Sequence, residues 1–149
     1  MELGMIGLGR MGGNMARRLL RGGHRLVAYD PKAETLDALV QEGAVCKSSL
    51  TNLIEELSLP RTVWVMVPEG GPTEDIIQSL SVSLSSGDTV IDGGNSNYKD
   101  SIRRSALLAD RGVFFLDVGT SGGIWGLEGG YSMMVGGDVN AFRTIEPIL

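Results

Sequence analysis

Gly7-Leu8-Gly9-Arg10-Met11-Gly12 follows a short apolar run and leads straight into a segment of helical periodicity. Glycines at the first, third and sixth positions of such a turn suit a diphosphate. Gly7 permits the tight turn, Gly9 lets the backbone approach the anion, and Gly12 lets the helix pack closely on the strand, while the helix N-terminus offers free N–H groups. Leu8, Arg10 and Met11 complete the candidate cofactor-binding turn, and Arg10 brings a positive charge into it. In a chain with 22 glycines among 149 residues this pattern is weak by itself. Asp30 strengthens it, because a carboxylate at the end of the second strand is placed to accept hydrogen bonds from both ribose hydroxyls of a dinucleotide. Capping the helix that begins after Pro31 is the alternative role for Asp30, and the two are compatible. A carboxylate here repels a 2′-phosphate, and the residue after it is Pro31 where an arginine would serve NADP, so the expected cofactor is NAD in preference to NADP. Lys32 and Arg10 weigh the other way.

Two further loops pair glycines with small polar side chains, Asp92-Gly93-Gly94-Asn95-Ser96 and Asp117-Val118-Gly119-Thr120-Ser121-Gly122-Gly123. Exposed backbone N–H groups beside amide and hydroxyl side chains suit a polyol or a carboxylate, although turn chemistry alone also accounts for either loop. A third loop, Val67-Pro68-Glu69-Gly70-Gly71, is a candidate flank for the cofactor's second ribose.

These loops need a scaffold that brings them to one edge. Short apolar runs alternate with helix-period segments along the whole chain, the rhythm of a β-α-β protein. Strands are expected at 2–7, 25–30, 61–67, 88–92, 113–117 and 131–136. Helices are expected at 11–21, 32–42, 50–57, 73–84, 98–111 and 139–149. The runs 63–67 and 113–116 are continuously apolar, as strands covered on both faces should be. The expected fold is a Rossmann-like, doubly wound α/β domain with a mainly parallel sheet, in which all three loops lie at the C-terminal ends of strands. In the helix from Tyr98 to Arg111 the apolar positions Tyr98, Ile102, Ala106 and Ala109 suggest the inward face. Arg17, Arg18 and Arg21 read as a solvated outer face of the first helix, and Met5, Met11, Met15, Met66, Met133 and Met134 as core filling. His24 reads as a helix C-terminus contact, Trp64 as core, and Glu128 as a structural or rim residue.

Composition narrows the partners. Thirteen basic against eighteen acidic residues give a net charge of -5, which argues against nucleic acid or an anionic membrane. Cys46 is the single cysteine and His24 the single histidine, which excludes an internal disulfide and a His/Cys zinc cluster, so no metal is expected. With no signal peptide and no long apolar run, the expectation is a cytoplasmic protein acting on a small molecule.

Met5-Ile6-Gly7-Leu8-Gly9-Arg10-Met11-Gly12-Gly13-Asn14-Met15, Asp92-Gly93-Gly94-Asn95-Ser96-Asn97-Tyr98, Gly119-Thr120-Ser121-Gly122-Gly123 and Gly136-Gly137 together resemble the decarboxylating 6-phosphogluconate dehydrogenases, in order and across the whole chain. The opening motif is shared with the wider β-hydroxyacid dehydrogenase superfamily, including 3-hydroxyisobutyrate dehydrogenases; the two later loops single out the 6-phosphogluconate branch. Asp30-Pro31 departs from the Asn-Arg pair common in NADP-using members, and Ile124-Trp125-Gly126-Leu127-Glu128 resembles the shorter, NAD-preferring subgroup. The resemblance implies that residues 1–149 form the cofactor domain, with Asn95, Ser121, Gly122 and Gly123 contacting the sugar acid and Asn95 also near the nicotinamide. It implies hydride transfer from C3 of 6-phosphogluconate to NAD, loss of CO2, and protonation of the enediol to ribulose 5-phosphate in the pentose phosphate pathway. The family's lysine base and glutamate acid are expected in a helical domain beyond Leu149, so no catalytic residue is assigned within the chain. A homo-oligomer, formed through that domain or an exposed apolar face around Trp125, Leu127 and Ile148-Leu149, is also expected. The alternatives are another β-hydroxyacid dehydrogenase and a non-catalytic NAD-binding module.

Overall fold

The computed structural model describes the backbone of residues 1–149 and every side chain except those of Ala33 and Ile124. Runs of apolar and β-branched residues form β1 (Glu2–Ile6), β2 (Arg25–Tyr29), β4 (Thr62–Val65) and β5 (Thr89–Asp92), joined to the two-residue β3 (Val45–Cys46) and the longer β6 (Phe114–Ser121) and β7 (Ser132–Gly137). The sheet order is β3-β2-β1-β4-β5-β6-β7, with every pairing parallel except the last. The chain reverses its direction of growth between β1 and β4, which makes that crevice the topological switch point where ligands of open α/β sheets bind.

Helices α1 (Arg10–Arg21), α2 (Ala33–Gln41), α3 (Leu50–Glu56), α4 (Gly71–Ser83), α5 (Tyr98–Ala109), α6 (Gly126–Gly129) and α7 (Val139–Ile145) complete the domain. Two apolar layers hold it. One packs Met15 and Leu19 of α1, Leu39 of α2 and Ile145 of α7 against Leu3, Leu26, Trp64, Ile91 and Leu116 of the sheet. The other packs Leu53 of α3, Ile77 and Leu80 of α4 and Leu108 of α5 against Ile6, Val27, Val65, Val90 and Phe115. Helices thus cover both faces, and among the described residues none is long and apolar enough to cross a membrane.

Several sequence expectations are corrected. β3 was not anticipated; two residues carry no period. The strand expected to end at Asp117 continues to Ser121, because antiparallel β7 extends the ladder from Leu116↔Gly137 to Ser121↔Ser132. Residues 123–129, for which no element is expected, form a 3-10 turn and α6, which pack across α1. The three arginines of α1 are not merely solvated. Arg18 Nη1 donates to the Leu127 carbonyl (3.3 Å), Arg21 pairs with Glu128 (3.2 Å), and Arg17 pairs with Glu42 (2.8 Å), fixing α6 and the end of α2 on the helix. Met134 is 79% exposed, because it faces the side of the edge strand β7 that no helix covers. The largest correction concerns α5. Tyr98 and Ile102 are exposed, and the inward face is Ser101, Arg104 and Leu108.

Candidate functional site

The C-terminal ends of β1, β2, β4, β5 and β6 share one rim, since these strands are mutually parallel and in register at Ile6, Tyr29, Val65, Asp92 and Asp117. All the loops singled out from the sequence therefore meet there, although β6 carries its own residues four positions further out on the β6–β7 ladder. α1 starts at Gly9 with no side-chain cap and no acidic residue in its first turn, and α4 starts at Gly70, also uncapped. By contrast Ser49, Asn97 and Asp138 cap α3, α5 and α7 with their side chains. The free N–H groups of α1, with the partial positive charge of its N-terminus, are thus left facing the rim.

The glycines of the first turn divide the space as the motif requires. Gly7 has φ of 89°, which admits the turn, and its amide donates to the Tyr29 carbonyl (3.0 Å). A Cβ on Gly12 would lie 2.1 Å from the Gly7 carbonyl oxygen, so helix and strand close against each other there. A Cβ on Gly9 would meet nothing within 4 Å. One glycine is thus consumed by packing, while the other leaves open space beside the helix N-terminus, the cradle a pyrophosphate needs.

Asp30 is built into the same turn. Its Oδ2 accepts the Leu8 amide (2.7 Å) and its Oδ1 accepts the Lys32 amide (2.8 Å). The carboxylate therefore braces the glycine turn and closes a short turn into α2, whose N-cap is Lys32. Each oxygen holds one backbone donor and retains a second acceptor direction, so ribose hydroxyls remain within its chemistry. The residues fit a dinucleotide.

Further along the rim, Val67 and Pro68 follow β4. The Pro68 carbonyl accepts the Thr73 hydroxyl (2.8 Å), which ties this loop to the first turn of α4, and Glu69 stands exposed. Asn95 adopts a left-handed conformation, φ 56°, with its amide turned onto the next strand: the Thr120 amide donates to Oδ1 (2.9 Å) and Nδ2 donates to the Thr120 carbonyl (3.2 Å). The loop after β5 is thereby joined to the end of β6, where Ser121, Gly122 and Gly123 are exposed. A shallow recess bounded by Asn95, Ser96, Asp117, Gly119 and Met134 opens beside this junction.

Sequence reading missed what holds this loop from beneath. Asp92, fully buried, accepts the Gly94 amide on Oδ1 (3.0 Å) and the Ser96 hydroxyl on Oδ2 (2.8 Å). Arg104 of α5, 1% exposed, donates to Asp92 Oδ2 (3.0 Å), Ser96 Oγ (2.8 Å) and Glu74 Oε2 (3.0 Å). Arg103 grips both oxygens of Glu74 (2.6 and 2.8 Å), and with Arg104 it holds that carboxyl at about 2, well below the usual carboxylate range, against the opposing effect of burial. An arginine within a helical pattern signals a wet face, so only knowledge of its partners could have turned it inward.

His24 lies at the far edge. Its amide donates to the Leu19 carbonyl (3.1 Å), one of two bonds that close the C-terminus of α1, and its Nδ1 meets the Met1 amine (3.2 Å). Burial, and after it the Met1 ammonium, lowers its pKa. Trp64 is wholly buried, as expected, and Trp125 is 80% exposed.

Comparison with known proteins agrees with this geometry. The family model for the NAD binding domain of 6-phosphogluconate dehydrogenase matches residues 2–149. The chain belongs to this family. A Haloferax volcanii relative described as 6-phosphogluconate dehydrogenase, NAD(+)-dependent, decarboxylating, is 40% identical over 148 residues, covering 99% of this chain and 48% of the relative. Among solved structures, Plasmodium falciparum 6-phosphogluconate dehydrogenase superposes with a TM-score of 0.90 at 31% identity, over 100% of this chain and 33% of that one. Mycobacterium tuberculosis 3-hydroxyisobutyrate dehydrogenase superposes with a TM-score of 0.89 at 25% identity, over 99% and 50%. The chain spans half or less of the length of the curated relatives it matches. It is an NAD-binding domain of the 6-phosphogluconate dehydrogenase type.

Proposed function

We propose that the rim binds NAD in preference to NADP and forms one side of the site at which the whole protein oxidatively decarboxylates 6-phosphogluconate to ribulose 5-phosphate. The observation that carries this reading is the pairing of open space at Gly9 with the Asp30 carboxylate braced against the same turn. In this reading Gly7, Leu8, Gly9, Arg10, Met11 and Gly12 receive the pyrophosphate, Asp30 receives the adenosine ribose, and Val67, Pro68 and Glu69 flank the second ribose. Asn95 lies between cofactor and sugar acid, and Ser121, Gly122 and Gly123 contact the sugar acid. When bound, NAD supplies the two-electron acceptor. The chain's own groups orient the reactants, since the lysines nearest these loops are otherwise engaged or placed: Lys47 pairs with Glu56 (2.6 Å), Lys99 lies over the Tyr98 ring, and Lys32 follows Asp30 at the adenosine end. Glu128, paired with Arg21, is structural. In this reading the general base and acid belong to a further domain, as the resemblance to the dehydrogenase family implies.

The same reading carries action in the cytoplasm within the pentose phosphate pathway, supported by the reaction and by the lone cysteine. Titrating the chain with NAD and NADP, followed by calorimetry, tests the cofactor assignment: tighter NAD binding is expected, and equal or tighter NADP binding rejects the role of Asp30. Turnover of 6-phosphogluconate against 3-hydroxyisobutyrate by a protein with the length of the relatives tests the substrate.

A further inference from the structure

Burying a guanidinium is costly unless every side of it is paired, and an apolar replacement for a buried ion pair is often as stable, so stability is a weak reason for Arg104 to point inward. Its position gives a better one. Asp92 clamps both ends of the loop after β5 through Gly94 and Ser96, and Arg104 holds Asp92 and Ser96 with a single nitrogen, Nη1. The arc they enclose is the one in which Asn95 takes its left-handed conformation and joins Thr120. On its other side Arg104 Nε binds Glu74, one residue from Thr73, whose hydroxyl fastens the Pro68 carbonyl.

We propose that Arg104 is a positioning residue for the rim: it sets the placement of Asn95 and locks the loop that carries Asn95 to the Val67–Glu69 loop on the cofactor side. The role of those two loops rests on the NAD reading above. Gly7, Gly9, Gly12 and Asp30 make no hydrogen bond to this network, so a change at Arg104 acts on the nicotinamide half of the cofactor and spares the adenosine half.

The test uses the 149-residue chain, its Arg104→Lys form, which keeps the charge but loses the planar fork, and Ser96→Ala, which removes one partner of Nη1 and leaves the buried ion pair in place. Two quantities are read: hydrogen exchange at the Thr120 amide, whose acceptor is Asn95 Oδ1, with the Val65 and Ile91 amides as core controls, and affinity for NAD beside ADP-ribose. Both variants should speed Thr120 exchange about tenfold, the loss of roughly one hydrogen bond to a charged group, with the core amides unmoved. NAD affinity should fall by a similar factor while ADP-ribose affinity holds. Unchanged Thr120 exchange, or equal loss of both ligands, overturns the positioning role. Should Arg104→Lys not fold, Ser96→Ala decides by the same readouts. A wild-type chain that binds neither ligand removes the cofactor reading, and the exchange comparison still decides what Arg104 does.

Discussion

Gly9 and Gly12 stand three residues apart at the start of α1, and their surroundings assign them opposite costs. An alanine at position 12 would drive its Cβ to 2.1 Å from the Gly7 carbonyl, so the Gly12→Ala protein should be destabilised by at least about 1–3 kcal/mol, read from urea or thermal unfolding. Gly9→Val points into open space and should change stability by no more than roughly 0.5 kcal/mol. It should nonetheless weaken NAD binding strongly, because the valine occupies the space a pyrophosphate requires. Melting each protein with and without NAD separates the two effects through ligand-linked stabilisation. A Gly9→Val protein that retains the wild-type NAD-induced shift would argue against the cofactor cradle. Asp30→Ala removes the acceptor of the Leu8 amide, and it should lower NAD affinity and narrow the difference between NAD and NADP in the same titrations.

At the scale of elements, α4 and α5 are tied by charge as well as by a shared apolar layer. Glu74 takes both nitrogens of Arg103 and the Nε of Arg104, and its carboxyl titrates at about 2 in place of an ordinary 4.5. A carboxylate with a depressed native pKa contributes stability above its unfolded pKa and loses it as the pH falls toward the folded value. That contribution is therefore complete above about pH 5 and fades between roughly pH 4.5 and 2. Glu74→Gln should be less stable than wild type near neutrality and lose less on acidification, so that unfolding curves from pH 7 to 3 converge. Parallel pH profiles would show that the α4–α5 junction does not depend on this charge. High salt should weaken the part carried by Arg103, which is half exposed, and leave the part carried by buried Arg104 largely in place.

For the molecule as a whole, Trp125, Met134 and Leu149 expose apolar surface at 80%, 79% and 43%, whereas Ile148, expected in that patch, is buried against the core beside Ile145. Exposed apolar area on a small domain favours association, and sedimentation over a concentration series should reveal oligomers; an ideal monomer at high concentration would contradict this. The 149-residue chain with 6-phosphogluconate and NAD should produce no useful NADH. General acid-base catalysis supplies roughly 10²–10⁴-fold, and of the candidate lysines Lys47 is paired with Glu56 while Lys99 lies over the Tyr98 ring. Robust turnover by this chain would place the base within it.

Local pattern was enough for the alternating strands and helices, the glycine turn, Asp30 and the rim loops, because strand period, helix period and turn chemistry are written within a few residues of each other. Those same rules failed where the deciding partner lay far along the chain. β6 outran its apolar core because β7 came back antiparallel to pair with it, and α6 formed in a glycine-rich stretch without helical period, where Arg18 and Arg21 of α1 bond Leu127 and Glu128. Arg104 is the sharpest case. Hydropathy turned it to solvent and drew Tyr98 and Ile102 inward, yet Asp92 on β5 and Glu74 on α4 reverse the helix face. Burial of a charge depends on whether countercharges converge from other elements, and that convergence exists only after the sheet has been assembled.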